Sequence, residues 1–156
     1  MSQKIIVIEQ GASYTSTTVD KEKSIMQIKA MLMKHKCSRI AVQDDMRGEI
    51  PTTTILFEKA GDPYVIEFPI IYVHKKRGEN ELRMDVSARI IHDRIKSLLI
   101  MADLNILEFS QVMMGFLLIP DKFGYPQQFE EYVLEHKNEL PRGTFNISYQ
   151  LTDGKS

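Results

Sequence analysis

TTTILFEKAGDPYVIEFPII, residues 52–71, decides how this chain folds. Thr52 to Phe57 is β-branched and aromatic, which suits the pleated, half-buried surface of a strand. Ala60-Gly61-Asp62-Pro63 is turn chemistry, and Tyr64 to Ile71 is a second strand. Together they predict a β-hairpin. Alternation sends Tyr64, Ile66 and Phe68 to one face and Val65 and Glu67 to the other.

Towards the N-terminus, Arg39 to Val42 predicts another strand. The polar stretch Asp44-Asp45 and Arg47-Gly48-Glu49 follows as a turn closed by Pro51. Before it, Ile25, Ile28 and Leu32 recur at helical spacing, with Met26, Ala30 and Met33 widening the stripe. Asp20 is placed to cap this helix at Lys21, and the helix should fade near His35 or Lys36. KIIVIE, residues 4–9, reads as a short strand, and the small polar residues 11–20 as a mobile loop.

Towards the C-terminus, charge dominates as far as Asp85. Ala88 to Ala102 then predicts a helix with Ile91, Ile95, Leu98, Leu99 and Ala102 on one stripe. Leu107 to Phe116 predicts another, followed by a short strand at 117–119. Tyr125-Pro126 opens a last helix to about Glu139, with proline in its first turn, and Thr144 to Leu151 alternates as a final strand. This order predicts an α+β fold: a mainly antiparallel sheet with helices packed on one face, forming a single domain over 1–156. Residues 152–156 are expected to be mobile, like 11–20.

The length, 156 residues, suffices for a core without metal or disulfides. Hydrophobic residues at 43% and charged residues at 26% are the profile of a globular protein. One cysteine, Cys37, excludes an internal disulfide. The apolar run Ile5 to Ile8 is too short for a signal peptide or a membrane span, and Val112 to Ile119 is interrupted by Gly115. No membrane contact and a cytoplasmic location are therefore expected.

Chemistry is sparse. No GxxxxGK[ST], GxGxxG or GxSxG pattern occurs, so no phosphate loop, dinucleotide fold or nucleophile elbow is signalled. His35 and Cys37 lack the second ligand pair of a structural zinc site. Asp44, Asp45 and Glu49 could hold a hard cation, and define the alternative of a metal-dependent enzyme. His92-Asp93-Arg94 suggests acid–base work, but neighbouring helical residues point about 100° apart. No catalytic residue, metal ligand or cofactor is assigned.

The remaining signal is basic. Lys75, Lys76, Arg77, Arg83, Arg89, Arg94 and Lys96 outnumber four interspersed acids, although the whole chain has net charge -1. A basic loop leading into a basic helix could contact nucleic-acid phosphates. Lys75, Lys76, Arg77, Arg83, Arg89 and Lys96 are the candidate contacts. A solvated strand end and a contact with a protein partner are the competing readings of the same residues. A second expectation concerns self-association. The segment SQVMMGFLLIP has little polar face, so a homodimer is expected with Met113, Met114 or Phe116 at or beside its interface.

Three blocks together resemble a family of small uncharacterised proteins encoded by phages, prophages and other mobile elements. They are VDKEKSIMQIKAMLMKHKCSRIAV (19–42), ILFEKAGDPYVIEFPI (55–70) and IKSLLIMADLNILEFSQVMMGFLLIPD (95–121). The shared pattern includes Phe68-Pro69, Glu108-Phe109 and the close Ile119-Pro120-Asp121. The chain departs from it in having no tryptophan and in placing Lys122 where a glycine is usual. The resemblance implies a genomic setting and carries over no catalytic residue. The expected function is that of a non-catalytic accessory protein of a phage or mobile element, binding nucleic acid or a replication or maintenance complex. A metal-dependent enzyme and a self-associating structural module are the alternatives.

Overall fold

The hairpin is present as β3 (Thr52–Lys59) and β4 (Asp62–Pro69) in a computed structural model that describes residues 3–120 and 126–136. Its register runs from Thr52 opposite Pro69 to Lys59 opposite Asp62. The turn is tighter than the sequence suggests. Only Ala60 and Gly61 lie outside the strands, at φ 52° and 84°. Two positive-φ residues match the right-handed twist of the strands they join. Gly61 adopts that geometry freely, whereas Ala60 is held there by the ladder on both sides.

β2 (Ser38–Asp45) adds to β3 in antiparallel fashion, giving the sheet β2-β3-β4. β2 runs longer than predicted, so Asp44 and Asp45 end a strand instead of forming a turn. One face of this sheet carries Ile55, Phe57, Tyr64 and Ile66. On it lie Ile28 and Leu32 of α1 (Lys21–Lys34) and Ile91, Ile95 and Leu99 of α2 (Met84–Asp103). The expected α+β arrangement, with helices on one face of an antiparallel sheet, is therefore the one observed.

α1 begins as the sequence predicts. The Lys23 N–H donates to Asp20 Oδ1 at 2.8 Å. It ends in a reversal at Lys36 (φ 63°), where the Lys36 and Cys37 amides donate to the carbonyls of Met33 and Leu32. Asp20→Ala should cost about 1 kcal/mol, the typical value of removing an N-cap. Denaturant unfolding with an unchanged slope would show it, and an unchanged midpoint would rule the cap out as a stabilising contact.

The strand predicted over 64–71 is in fact two. The chain leaves β4 after Pro69, passes Ile70, whose N–H donates to Pro51 O at 2.8 Å, and enters β5 (Ile71–His74). β5 belongs to a second sheet, β1-β5-β6, built from β1 (Ile6–Glu9) and β6 (Asn80–Leu82). β1 pairs with β5 in parallel and β6 pairs with it in antiparallel fashion. The charged stretch before Asp85, expected as loop, thus contains a strand. α2 also starts one turn earlier than predicted. Inside it, Ser87 Oγ accepts the Ile71 N–H at 2.7 Å and ties the helix to the second sheet.

The helix predicted over 107–116 is divided into α3 (Phe109–Val112) and a 3-10 turn at Met114–Phe116. The strand after it is present as β7 (Leu118–Pro120), paired with β8 (Pro126–Gln128). Pro126 therefore stands in a strand and not in a helical first turn. The last helix, α4, begins at Phe129 and is described to His136. The strand expected over 144–151 and the mobile end expected over 152–156 lie outside the described residues.

The loop expected to be mobile is a run of hydrogen-bonded turns. Gly11 N–H donates to Thr15 Oγ1, which donates to Ala12 O at 2.7 Å, and Thr17 N–H donates to Tyr14 O.

Candidate functional site

The basic residues occupy a turn and several faces of one helix. The β5–β6 hairpin closes through Lys75 N–H to Glu79 O and Gly78 N–H to Lys75 O. Lys75 Nζ lies 2.9 Å from Glu81 Oε2. Lys76 and Arg77 are exposed at the tip and have no ion-pair partner among the described residues.

Arg83, at the start of α2, forms two parallel hydrogen bonds to Asp85, both 2.9 Å, and reaches Thr15 O at 3.4 Å. The Arg83 hydrogen bond holds the Asp85 carboxyl below its ordinary range, against burial, with help from the Val86 amide. Arg89 donates to Gln27 Oε1 of α1 at 3.0 Å and lies 3.6 Å from Asp93. Arg94 sits over the Phe116 ring, 5.3 Å from its centroid. Lys96 is exposed, with no ion pair among the described residues.

At about 100° per residue, Arg94 and Lys96 point roughly 200° apart. Arg89 and Lys96 share a face, but Asp93 stands between them. Of the six candidate contacts, Lys75, Arg83 and Arg89 are thus engaged with carboxylates. Lys76, Arg77 and Lys96 remain available, the first two side by side on the hairpin tip.

A titratable cluster that the sequence signals only at His92-Asp93 brings the loop after β1 close to α2, which Arg89 links to α1. Asp93 curls back along α2 so that its Oδ1 lies 2.7 Å from Nδ1 of the buried His92. Adjacent helical residues thus meet despite their 100° offset, because a short side chain can bend back on its own turn. Burial would raise the Asp93 pKa, but the neighbouring His92 and Tyr14 side chains and the charge of Arg89 lower it. The same Asp93 contact raises the Tyr14 pKa. Tyr14 lies far from Asp93 in sequence and inside a stretch of mostly small polar residues, so no pattern announces it.

The acidic trio does not converge. Asp44 is held by Lys21 and by the Thr53 hydroxyl at 2.7 Å. Asp45 Oδ1 accepts the amides of Arg47 and Gly48, and Glu49 pairs with Lys4 at 2.9 Å. Each carboxylate is engaged with its own partner. His35 Nε2 lies 2.9 Å from Asp103 Oδ1, off the hydrogen-bonding direction, and Cys37 is buried, with its thiol pKa pushed up. Among the described residues no three His, Cys, Asp or Glu side chains are grouped to hold a metal.

Met113 is wholly buried in the core with Phe109, Ile95 and Tyr64, so it is a core residue and not a surface contact. Phe116 is half-buried beneath Arg94, and Met114 is 46% exposed. The end of α2 adds further exposed apolar side chains, Leu104 at 64% and Ile106 at 58%. Among the described residues no helix is long and apolar enough to cross a membrane.

The fold and these clusters define an α+β protein whose surface carries a basic hairpin tip and exposed apolar side chains at the end of α2 and at Met114. Comparison with known proteins finds no matching family model, no matching curated protein and no matching solved structure.

The carboxylates also set a pH dependence. Asp44, Asp85 and Asp93 all have lowered pKa values in the folded protein. Their stabilisation is complete above the unfolded carboxylate value of about 3.9 and is lost as pH falls through the folded values. Melting temperature should hold from neutral pH to about 5 and decline below about 4 as far as these groups decide it. Asp85→Asn should flatten part of that acid limb. An identical limb in the variant would show that the Arg83–Asp85 pair contributes nothing.

Proposed function

We propose that this protein acts by binding and not by catalysis, as an accessory protein of a phage or other mobile element, and that it contacts nucleic-acid phosphates. The contact is the β5–β6 hairpin tip. The observation that carries it is the pair Lys76 and Arg77, adjacent, exposed and without a carboxylate partner among the described residues, where Lys75, Arg83 and Arg89 each have one. Two neighbouring cations on a tight turn suit a backbone contact without sequence preference. The mobile-element setting rests on the resemblance carried by residues 19–42, 55–70 and 95–121.

The test is fluorescence anisotropy with single- and double-stranded nucleic acid over a salt series. Binding should weaken steeply with salt. Replacing Lys76 and Arg77 with alanine should lower affinity and reduce the logarithmic salt slope by roughly 0.9 for each duplex phosphate that is no longer neutralised. No binding at low salt, or an unchanged slope in the variant, rejects the proposal.

Self-association is a second reading, favoured by the exposure of Met114 on a protein surface that also presents Leu104 and Ile106. Light scattering at micromolar concentration tests it. A mass near 18.0 kDa would reject it, and if a dimer forms here, Met114→Glu should split it without loss of helix.

A further inference from the structure

Of the outer strands of the two larger sheets, three are guarded. β4 meets Leu117 through a bridge at Tyr64. β2 is broken by an irregularity between Ser38 and Ala41, with Arg39 at φ 51°, and ends in Asp44-Asp45. β6 is three residues long. Bulges, charges and brevity are the usual ways to blunt a sheet edge. β1 is short and ends in the single charge of Glu9, but its ladder has no bulge and its centre is apolar. Ile5, Ile6 and Val7 are consecutive and 36%, 38% and 40% exposed.

The backbone shows which groups face outward. Gln10 N–H donates to His74 O at 3.2 Å, and Lys4 N–H donates to Glu49 O. Alternation along the ladder then turns the peptide groups of Ile6 and Ile8 towards β5. Those of Ile5 and Val7, and the Glu9 N–H, point away from the sheet, where no strand pairs with them among the described residues. Such an edge accepts an extended chain.

We infer that the occupant is β1 of a second copy of this chain, antiparallel about a two-fold axis through Ile6. In an antiparallel pair, outward-facing residues stand opposite one another, so a symmetric register must centre on a residue. Centring on Ile6 places Ile5 opposite Val7 of the second copy and Ile6 opposite Ile6, β-branched side chains throughout. Centring on Val7 would set Ile5 against Glu9. The buried surface continues in the same register. Ile71 and Val73, the β5 partners of Ile6 and Ile8, are 4% and 2% exposed, whereas Ile6 lies open on that same face. The second copy covers it. A two-fold pairing of this kind closes on itself and propagates no fibre.

Cross-linking tests the register directly. Ile6→Cys in the full chain places two thiols opposite one another at a non-hydrogen-bonded site, within disulfide reach. Mild oxidation should give a covalent dimer, and Val7→Cys, which faces Ile5 of the second copy, should cross-link much more slowly. Cys37 is buried and gives little background. Wild type and Met114→Glu should both sediment as dimers, and Ile6→Lys, which opposes like charges at the axis, should give a monomer with an unchanged circular dichroism spectrum. A monomeric wild type, a dimer surviving Ile6→Lys, or cross-linking no faster at position 6 than at 7 would each overturn the inference. A monomer whose Val7 amide resists hydrogen exchange would also overturn it and assign the edge to another segment of the same chain. If Ile6→Lys fails to fold, the cysteine pair still decides.

Discussion

Phe109→Ala is expected to lower the unfolding free energy by about 3–5 kcal/mol, the usual loss for a buried aromatic cut to alanine. α3 has only four residues, too few to hold themselves as an isolated helix. Phe109 is the α3 side chain buried in the core, and Val112 packs against that core from one turn further on. The Phe109 ring meets Tyr64 edge-on at 5.8 Å and Phe57 at 6.3 Å, and lies 5.7 Å from His35. Lys59 Nζ sits 4.7 Å from its centroid while donating to His35 O. One truncation therefore opens a cavity between α1, the β3–β4 hairpin and α3. For a chain of this length it should lower the melting temperature by about 10 °C. A loss under about 1 kcal/mol would mean that the aromatic group repacks and that Phe109 is not its keystone.

Ser87→Ala is expected to cost about 1–3 kcal/mol, although it removes a single oxygen. Ser87 and Ile71 are both buried, and the Ile71 N–H has the Ser87 hydroxyl as its acceptor at 2.7 Å. Alanine would leave that amide in an apolar setting without a partner, which costs more than the hydrogen bond contributes. Denaturant unfolding measures the loss, with Ser97→Ala on the exposed side of α2 as the control. Equal midpoints for the two variants would show that another group takes over the Ile71 amide.

The contrast between hairpin and second sheet shows how far local sequence determines the fold. β3, β4 and α1 are encoded locally. Thr52 to Phe57 alternates, Ala60-Gly61 turns, and Asp20 caps three residues before the amide it accepts. The break at Pro69-Ile70 is not encoded locally. Tyr64 to Ile71 is apolar enough to serve one strand or two, and only the pairing of Ile71 with distant Ile6 divides it. β6 is exposed at all three positions and so shows no alternation. The site divides in the same way. The run of basic residues is plain in the sequence, but which of them remain available is not. That depends on where Glu81, Asp85 and Asp93 end up, and on Gln27 of another helix reaching Arg89. Met113 and Met114 look equivalent in sequence, and the irregular turn after α3 sends one inward and the other out.

The parallel pairing of β1 with β5 also has a kinetic meaning. The β2-β3-β4 meander closes through short turns, so its contacts form at little entropic cost. Ile6 can meet Ile71 only after almost everything between them has been brought together. β1 is therefore expected to dock late during folding and to let go early. It has no hairpin partner to return to, because its neighbour in sequence is α1. The strand with the most open edge is thus also the one held by the ladder of longest sequence separation.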